Sequence, residues 1–146
     1  MTEFNRKAGV LWTGDLQNGT GLISTESKAL FELPYSYATR FGDEVGLNPE
    51  ELIAAAHAAC FSMSVASTLK KNGFDPVRAD TTATCTMASK HGGGHEITNM
   101  RLHVRGEAPG IDEDTFKQLV MEADKGCPLS NLLRNGLTIE ITTALF

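Results

Sequence analysis

Two stretches of the chain follow different rules of polarity. Leu52–Leu69 holds apolar and small residues with no Asp, Glu, Lys or Arg, and from Val77 onward apolar and polar positions alternate. The first pattern suits a buried helix, and a period of two suits a strand with one face on a core. Asn48 can cap the helix, Pro49 suits its first position, and Glu51, three residues after Asn48, completes a capping-box-like pattern. Glu50 and Glu51 favour the positive helix end and Lys70 and Lys71 the negative one, with Asn72-Gly73 as the stop. The spacing predicts a helix of about 23 residues, or about 35 Å at ~1.5 Å per residue, which nearly spans a domain of this size. With apolar or small residues on every side, it is expected to be the central helix.

Beyond it, Val77, Ala79, Thr81, Ala83, Cys85 and Met87 share one side of a strand, and Gly92-Gly93-Gly94 turns the chain. Ile97–Glu107 returns with Met100, Leu102 and Val104 on one face. Asp112 or Asp114 can start a second helix with the stripe Phe116, Leu119, Val120 and Ala123, ending at Gly126. Cys127-Pro128 opens a short helix to about Leu133, and Leu137–Leu145 reads as a last strand. Upstream, Gly9–Thr13 and Thr20–Thr25 are β-friendly runs joined by Gly14-Asp15 and Asn18-Gly19. Ala29–Leu33 is expected to be a third strand ended by Pro34, and Tyr35–Phe41 a strand or ordered loop. This order predicts an α+β fold of antiparallel sheets packed with a long central helix, in one domain over residues 1–146.

Composition narrows the function classes. A net charge of −5 gives no basic footprint for nucleic acid. Three cysteines do not make a disulfide scaffold, and Met1–Lys7 leads into no apolar signal core, so the reducing cytoplasm is the expected compartment. Leu52–Leu69 approaches the length of a membrane span, but its Ala, Ser, Thr and His contribute little to insertion. A core helix is expected there, and no membrane partner.

The candidate chemistry lies with the thiols. Cys60 sits mid-helix among alanines, where a cysteine commonly fills space. Cys127 precedes Pro128 at a helix start, where free N–H groups and the helix dipole stabilise a thiolate. Cys85 reads as packing, and no Cys-x-x-Cys or His-x-x-x-His spacing supports a metal site. His57 shares a helix face with Cys60 and is either a base or a core or interface histidine. Glu50 has a sufficient role at the helix N-terminus, and Arg40 is a surface arginine by default. The triple glycine opens no helix and is a turn. Residues alone lead to an α+β domain with a candidate thiol site.

Asn48-Pro49-Glu50-Glu51-Leu52-Ile53-Ala54-Ala55-Ala56-His57-Ala58-Ala59-Cys60-Phe61-Ser62-Met63 resembles the signature of the OsmC/Ohr family, the osmotically inducible and organic-hydroperoxide-resistance proteins. Lys125-Gly126-Cys127-Pro128-Leu129-Ser130 matches the family's second cysteine motif. Trp12-Thr13-Gly14-Asp15 and Pro34–Phe41 look like the OsmC branch. The resemblance implies a thiol-dependent peroxidase of the oxidative and osmotic stress responses, acting on organic hydroperoxides and less well on hydrogen peroxide. By resemblance, Cys60 is the peroxidatic thiolate and Cys127 the resolving cysteine, with Arg40 and Glu50 as the polar pair flanking the thiolate. It also implies an intertwined homodimer, a dihydrolipoyl-type dithiol as reductant, and no haem, flavin or metal cofactor. Glu50 and Cys60 are ten residues apart, about 15 Å along one helix. Antiparallel pairing of two helices around Ala54–Ala58 would therefore let Glu50 serve the Cys60 of a second subunit. Two rival readings remain open: a redox sensor without sustained turnover, and a protein that binds an apolar ligand.

Overall fold

Short β-prone runs at the start of the chain pair in sequence order as β1 (Ala8–Thr13), β2 (Thr20–Thr25) and β3 (Leu33–Ser36), all antiparallel. They belong to the first of two compact units, Met1–Leu52 and Ile53–Phe146, in a computed structural model that describes residues 1–146. The β1–β2 turn is tied by Asp15 Oδ1, which accepts the N–H groups of Gln17 (2.9 Å) and Asn18 (2.8 Å). Trp12 and Tyr35 both lie opposite Gly21, and their rings meet with centroids 5.4 Å apart. A Cβ on Gly21 would stand 2.1 Å from the Tyr35 ring, so the missing side chain is what lets that ring settle on β2.

The third strand is therefore Leu33–Ser36 and not Ala29–Leu33. Residues 26–32 loop instead, with Lys28 and Glu32 at positive φ and the Glu32 N–H bound to Ser24 Oγ at 2.9 Å. Pro34 fits inside β3 because this edge strand pairs on one side only. The following residues, read from sequence as strand or loop, form a short helix α1 (Tyr37–Phe41). Its start is a reciprocal capping box. Ser36 Oγ accepts from the Thr39 N–H (3.3 Å) and Thr39 Oγ1 from the Ser36 N–H (2.9 Å).

The long helix α2 runs Pro49–Lys71 as its caps predict. Asn48 Oδ1 accepts the Glu51 N–H at 2.8 Å, and Gly73, at positive φ, closes the other end. It is not buried on every face. His57, Phe61, Val65 and Leu69 form one buried stripe, while Ala55, Ala59 and Met63, on another side, are exposed. By length and hydropathy α2 would pass for a membrane span, but Phe61, Val65 and Leu69 are at the centre of the core of the second unit.

That core is closed by β4 (Arg78–Ser89), β5 (His95–Glu107), α3 (Glu113–Gly126), α4 (Pro128–Leu133) and β6 (Thr138–Leu145). β4 and β5 form the expected antiparallel hairpin, with Met100, Leu102 and Val104 fully buried. Asp112, not Asp114, caps α3, and Phe116, Leu119, Val120 and Ala123 are its buried stripe. β6 corrects the expectation of purely antiparallel sheets, because it runs parallel to β5. The helical connection α3–α4 carries the chain back along the sheet, so the next strand enters in the same direction. The architecture is α+β, two three-stranded sheets with one long helix.

Candidate active site

Arg40, in the last turn of α1, meets the carboxylate of Glu50, in the first turn of α2, through a fork. Its Nη2 donates to Oε1 at 2.7 Å, and its Nε lies 3.2 and 3.3 Å from the two oxygens. Glu50 is buried and Arg40 lies at the surface, its side chain 35% accessible, with the guanidinium carbon 4.9 Å from the centre of the Phe41 ring. Beside them is a concavity of about 300 Å³ lined by Trp12, Leu16, Tyr35, Tyr37, Arg40 and Phe41 among others. The structure thus brings together two of the four sequence candidates, one charged pair at the edge of an aromatic hollow.

The other two meet in the second unit. Cys127 is at once the last cap of α3 and the first of α4, and its thiol points at Cys60 Sγ, 3.5 Å away. Both are free thiols; Cys60 is half-buried and Cys127 fully buried. A disulfide needs about 2.05 Å between sulfurs, so closing the pair takes a movement of about 1.5 Å. Burial pushes the Cys60 thiol above its ordinary pKa; the Leu129 N–H opposes this, and the adjacent Cys127 sulfur adds to the rise. The sequence assigned the helix-end N–H groups to Cys127. At the start of α4 the Leu129 N–H also favours the Cys60 thiolate, because the two cysteines face each other at the helix junction.

Sequence reasoning left His57 between two roles and gave Ser130 none. His57 Nε2 and Ser130 Oγ share a hydrogen bond of 2.9 Å, with both side chains fully buried. The His57 ring also meets Phe61 edge-on, with centroids 6.2 Å apart. Near them Asp124, buried in α3, accepts from Arg134 Nη2 at 2.8 Å. The available signal was spacing: His57 precedes Cys60 by three residues and Ser130 follows Cys127 by three. Cys85 lies on β4, half-buried, in the strand role its alternation predicts. No group of three His, Cys, Asp or Glu side chains is arranged to hold a metal ion.

Known proteins are similar to this chain in sequence and in backbone. Residues 41–142 match the family described as OsmC-like protein. Peroxiredoxin OsmC of Escherichia coli is 43% identical over 136 residues, covering 93% of this chain and 94% of that protein. An organic hydroperoxide resistance protein of Xanthomonas axonopodis is 29% identical over 100 residues, 68% of each chain. The crystal structure of an organic hydroperoxide resistance protein OsmC from Legionella pneumophila superposes with a TM-score of 0.78. At 20% identity it covers 99% of both chains, a likeness of fold. With a family match over most of its length and a relative this similar end to end, the chain belongs to the OsmC-like protein family.

Proposed function

We propose that this chain is a thiol-dependent peroxidase that reduces organic hydroperoxides, and hydrogen peroxide less well. The observation that carries the reading is the reduced Cys60–Cys127 pair, with sulfurs 3.5 Å apart and the half-buried member on the long helix. The names of the relatives, peroxiredoxin and organic hydroperoxide resistance protein, support the same class of activity.

In this reading the Cys60 thiolate attacks one oxygen of the peroxide. A sulfur–oxygen bond forms, the O–O bond breaks, and Cys60 becomes a sulfenic acid while the peroxide leaves as alkoxide and takes a proton. The Cys127 thiolate then attacks the Cys60 sulfur, forming the disulfide and releasing the hydroxyl group as water. An external dithiol, of dihydrolipoyl type, returns two electrons by thiol–disulfide exchange and reopens the bridge.

Burial alone disfavours the Cys60 thiolate, so the cycle needs a fixed cation near the sulfur. Arg40 is the candidate, oriented by Glu50, and can donate to the departing alkoxide. We place this pair at the Cys60 of a second copy of the chain, in a homodimer. The exposed Ala55 and Ala59 on α2 support helix pairing, since small residues permit close backbone approach, and Met63 adds an exposed apolar side chain to the same side. The aromatic lining beside Arg40 suits an alkyl or aryl peroxide better than a small polar one. We further propose that residues 1–146 act as one domain and work in the reducing cytoplasm.

The test is consumption of cumene or tert-butyl hydroperoxide by purified protein with dihydrolipoamide. Sustained turnover is expected, absent in Cys60→Ser. Cys127→Ser should consume about one equivalent and stop at the sulfenic or a higher acid. Multiple turnover in Cys127→Ser with the dithiol present would remove Cys127 from the cycle.

A further inference from the structure

The turn His57–Cys60 of α2 and the turn Cys127–Ser130 that opens α4 are of equal length, and they touch at both ends. At one end the Cys127 thiol points at Cys60 Sγ, and at the other His57 Nε2 and Ser130 Oγ share their 2.9 Å hydrogen bond. Of these two contacts only His57–Ser130 involves no sulfur. It is the one whose partners keep their chemistry when the cysteines are oxidised, bridged and reduced. Both side chains are fully buried, so neither finds a water when the bond is lost.

We propose that His57 and Ser130 are positioning residues for the thiol pair: their hydrogen bond holds α4 against α2 so that Cys127 stays within closing distance of Cys60 throughout the redox cycle. The inference rests on Cys60 and Cys127 being a redox pair, as proposed above, and not on the identity of the oxidant. A pin between the same two turns fixes the backbones while the sulfurs travel the last 1.5 Å or so. A histidine that only filled the core beside Phe61 would contribute stability without acting on the sulfurs in particular.

The experiment measures the effective concentration of the two thiols, as the equilibrium between reduced and bridged protein in glutathione buffers, read by mass spectrometry after alkylation. It needs no peroxide. Ser130→Ala is expected to lower the effective concentration tenfold or more, about 30 mV for a two-electron couple. Ser130→Thr, which keeps the hydroxyl, should stay within about twofold of the parent chain. His57→Leu should match Ser130→Ala, and combining the two should add nothing further, as for partners in one interaction. Val120→Ala opens the same core from α3 and should lower the thermal midpoint while leaving the effective concentration unchanged. An unaltered value in Ser130→Ala and His57→Leu, or an equal fall in Val120→Ala, overturns the proposal while leaving the redox pair intact. A parent chain that forms no Cys60–Cys127 bridge in any buffer overturns both readings together.

Discussion

A guanidinium that meets one buried carboxylate through both Nε and Nη2 has lost most of its rotational freedom, and that is the state of Arg40. A lysine would keep the charge but not the fork, so the cation would no longer be aimed by Glu50. Arg40→Lys is therefore expected to lower kcat/KM for cumene hydroperoxide on the order of 100-fold, the scale of a misplaced catalytic group. Circular dichroism should show the fold retained, and a variant within twofold of the parent would mean that charge alone suffices. His57 yields a second expectation. Burial pushes its pKa below the ordinary value; the Asp124 charge opposes this and Arg134 adds to it. As pH falls through about 6.5 the unfolded chain takes up the proton before the folded one does. The stabilisation from neutral His57 is complete above that pH and is lost as pH falls toward the depressed folded value. The urea midpoint should thus drop between pH 7 and pH 5, and His57→Gln should flatten that drop. Parallel profiles for the two proteins would place the acid sensitivity elsewhere.

At the scale of elements, the sequence is most legible where two independent signals agree. In α2 the uncharged run, the Asn48 cap and the Asn72-Gly73 stop all mark the same helix, and β4, β5 and α3 each pair a clear period with a turn or cap. Tyr37–Phe41 hid its helix because the residue facing Ser36 in the capping box is Thr39 where Glu or Gln would be recognisable. The direction of β6 is invisible to any period, since alternation is the same in parallel and antiparallel strands. Cys60 meets Cys127 only through tertiary packing, 67 residues apart in the chain, so no local rule could pair them. Packing also makes one glycine indispensable. A Cβ on Gly106 of β5 would stand 2.3 Å from the tip of the Phe116 ring, which is how closely α3 approaches the sheet. Gly106→Ala is expected to cost about 1–3 kcal/mol by overpacking, read as a lower urea midpoint. Phe116→Leu in the same chain should recover part of it, and a neutral Gly106→Ala would mean that α3 shifts freely.

For the whole molecule, the exposed side of α2 sets the sharpest question. Ala55, Ala59 and Met63, the last 75% exposed, are apolar or small positions on a helix whose opposite stripe is fully buried. The sequence has apolar or small residues on every side of this helix; one chain buries the stripe His57, Phe61, Val65 and Leu69, and the proposed homodimer would cover the exposed side. Within a single chain, a substitution at an exposed helical alanine changes stability by no more than about 0.5 kcal/mol. Ala55→Arg should therefore leave a lone chain folded, yet it would set two like charges in an interface formed by two copies of the same face. Sedimentation velocity should find the parent chain as a dimer and Ala55→Arg as a monomer with native circular dichroism. If Arg40 and Glu50 serve the Cys60 of the other copy, that monomer will keep its thiols reduced and show no peroxide turnover. A monomeric Ala55→Arg chain with full activity would instead confine the complete site to one chain. A dimeric Ala55→Arg chain would move the interface off this face of α2.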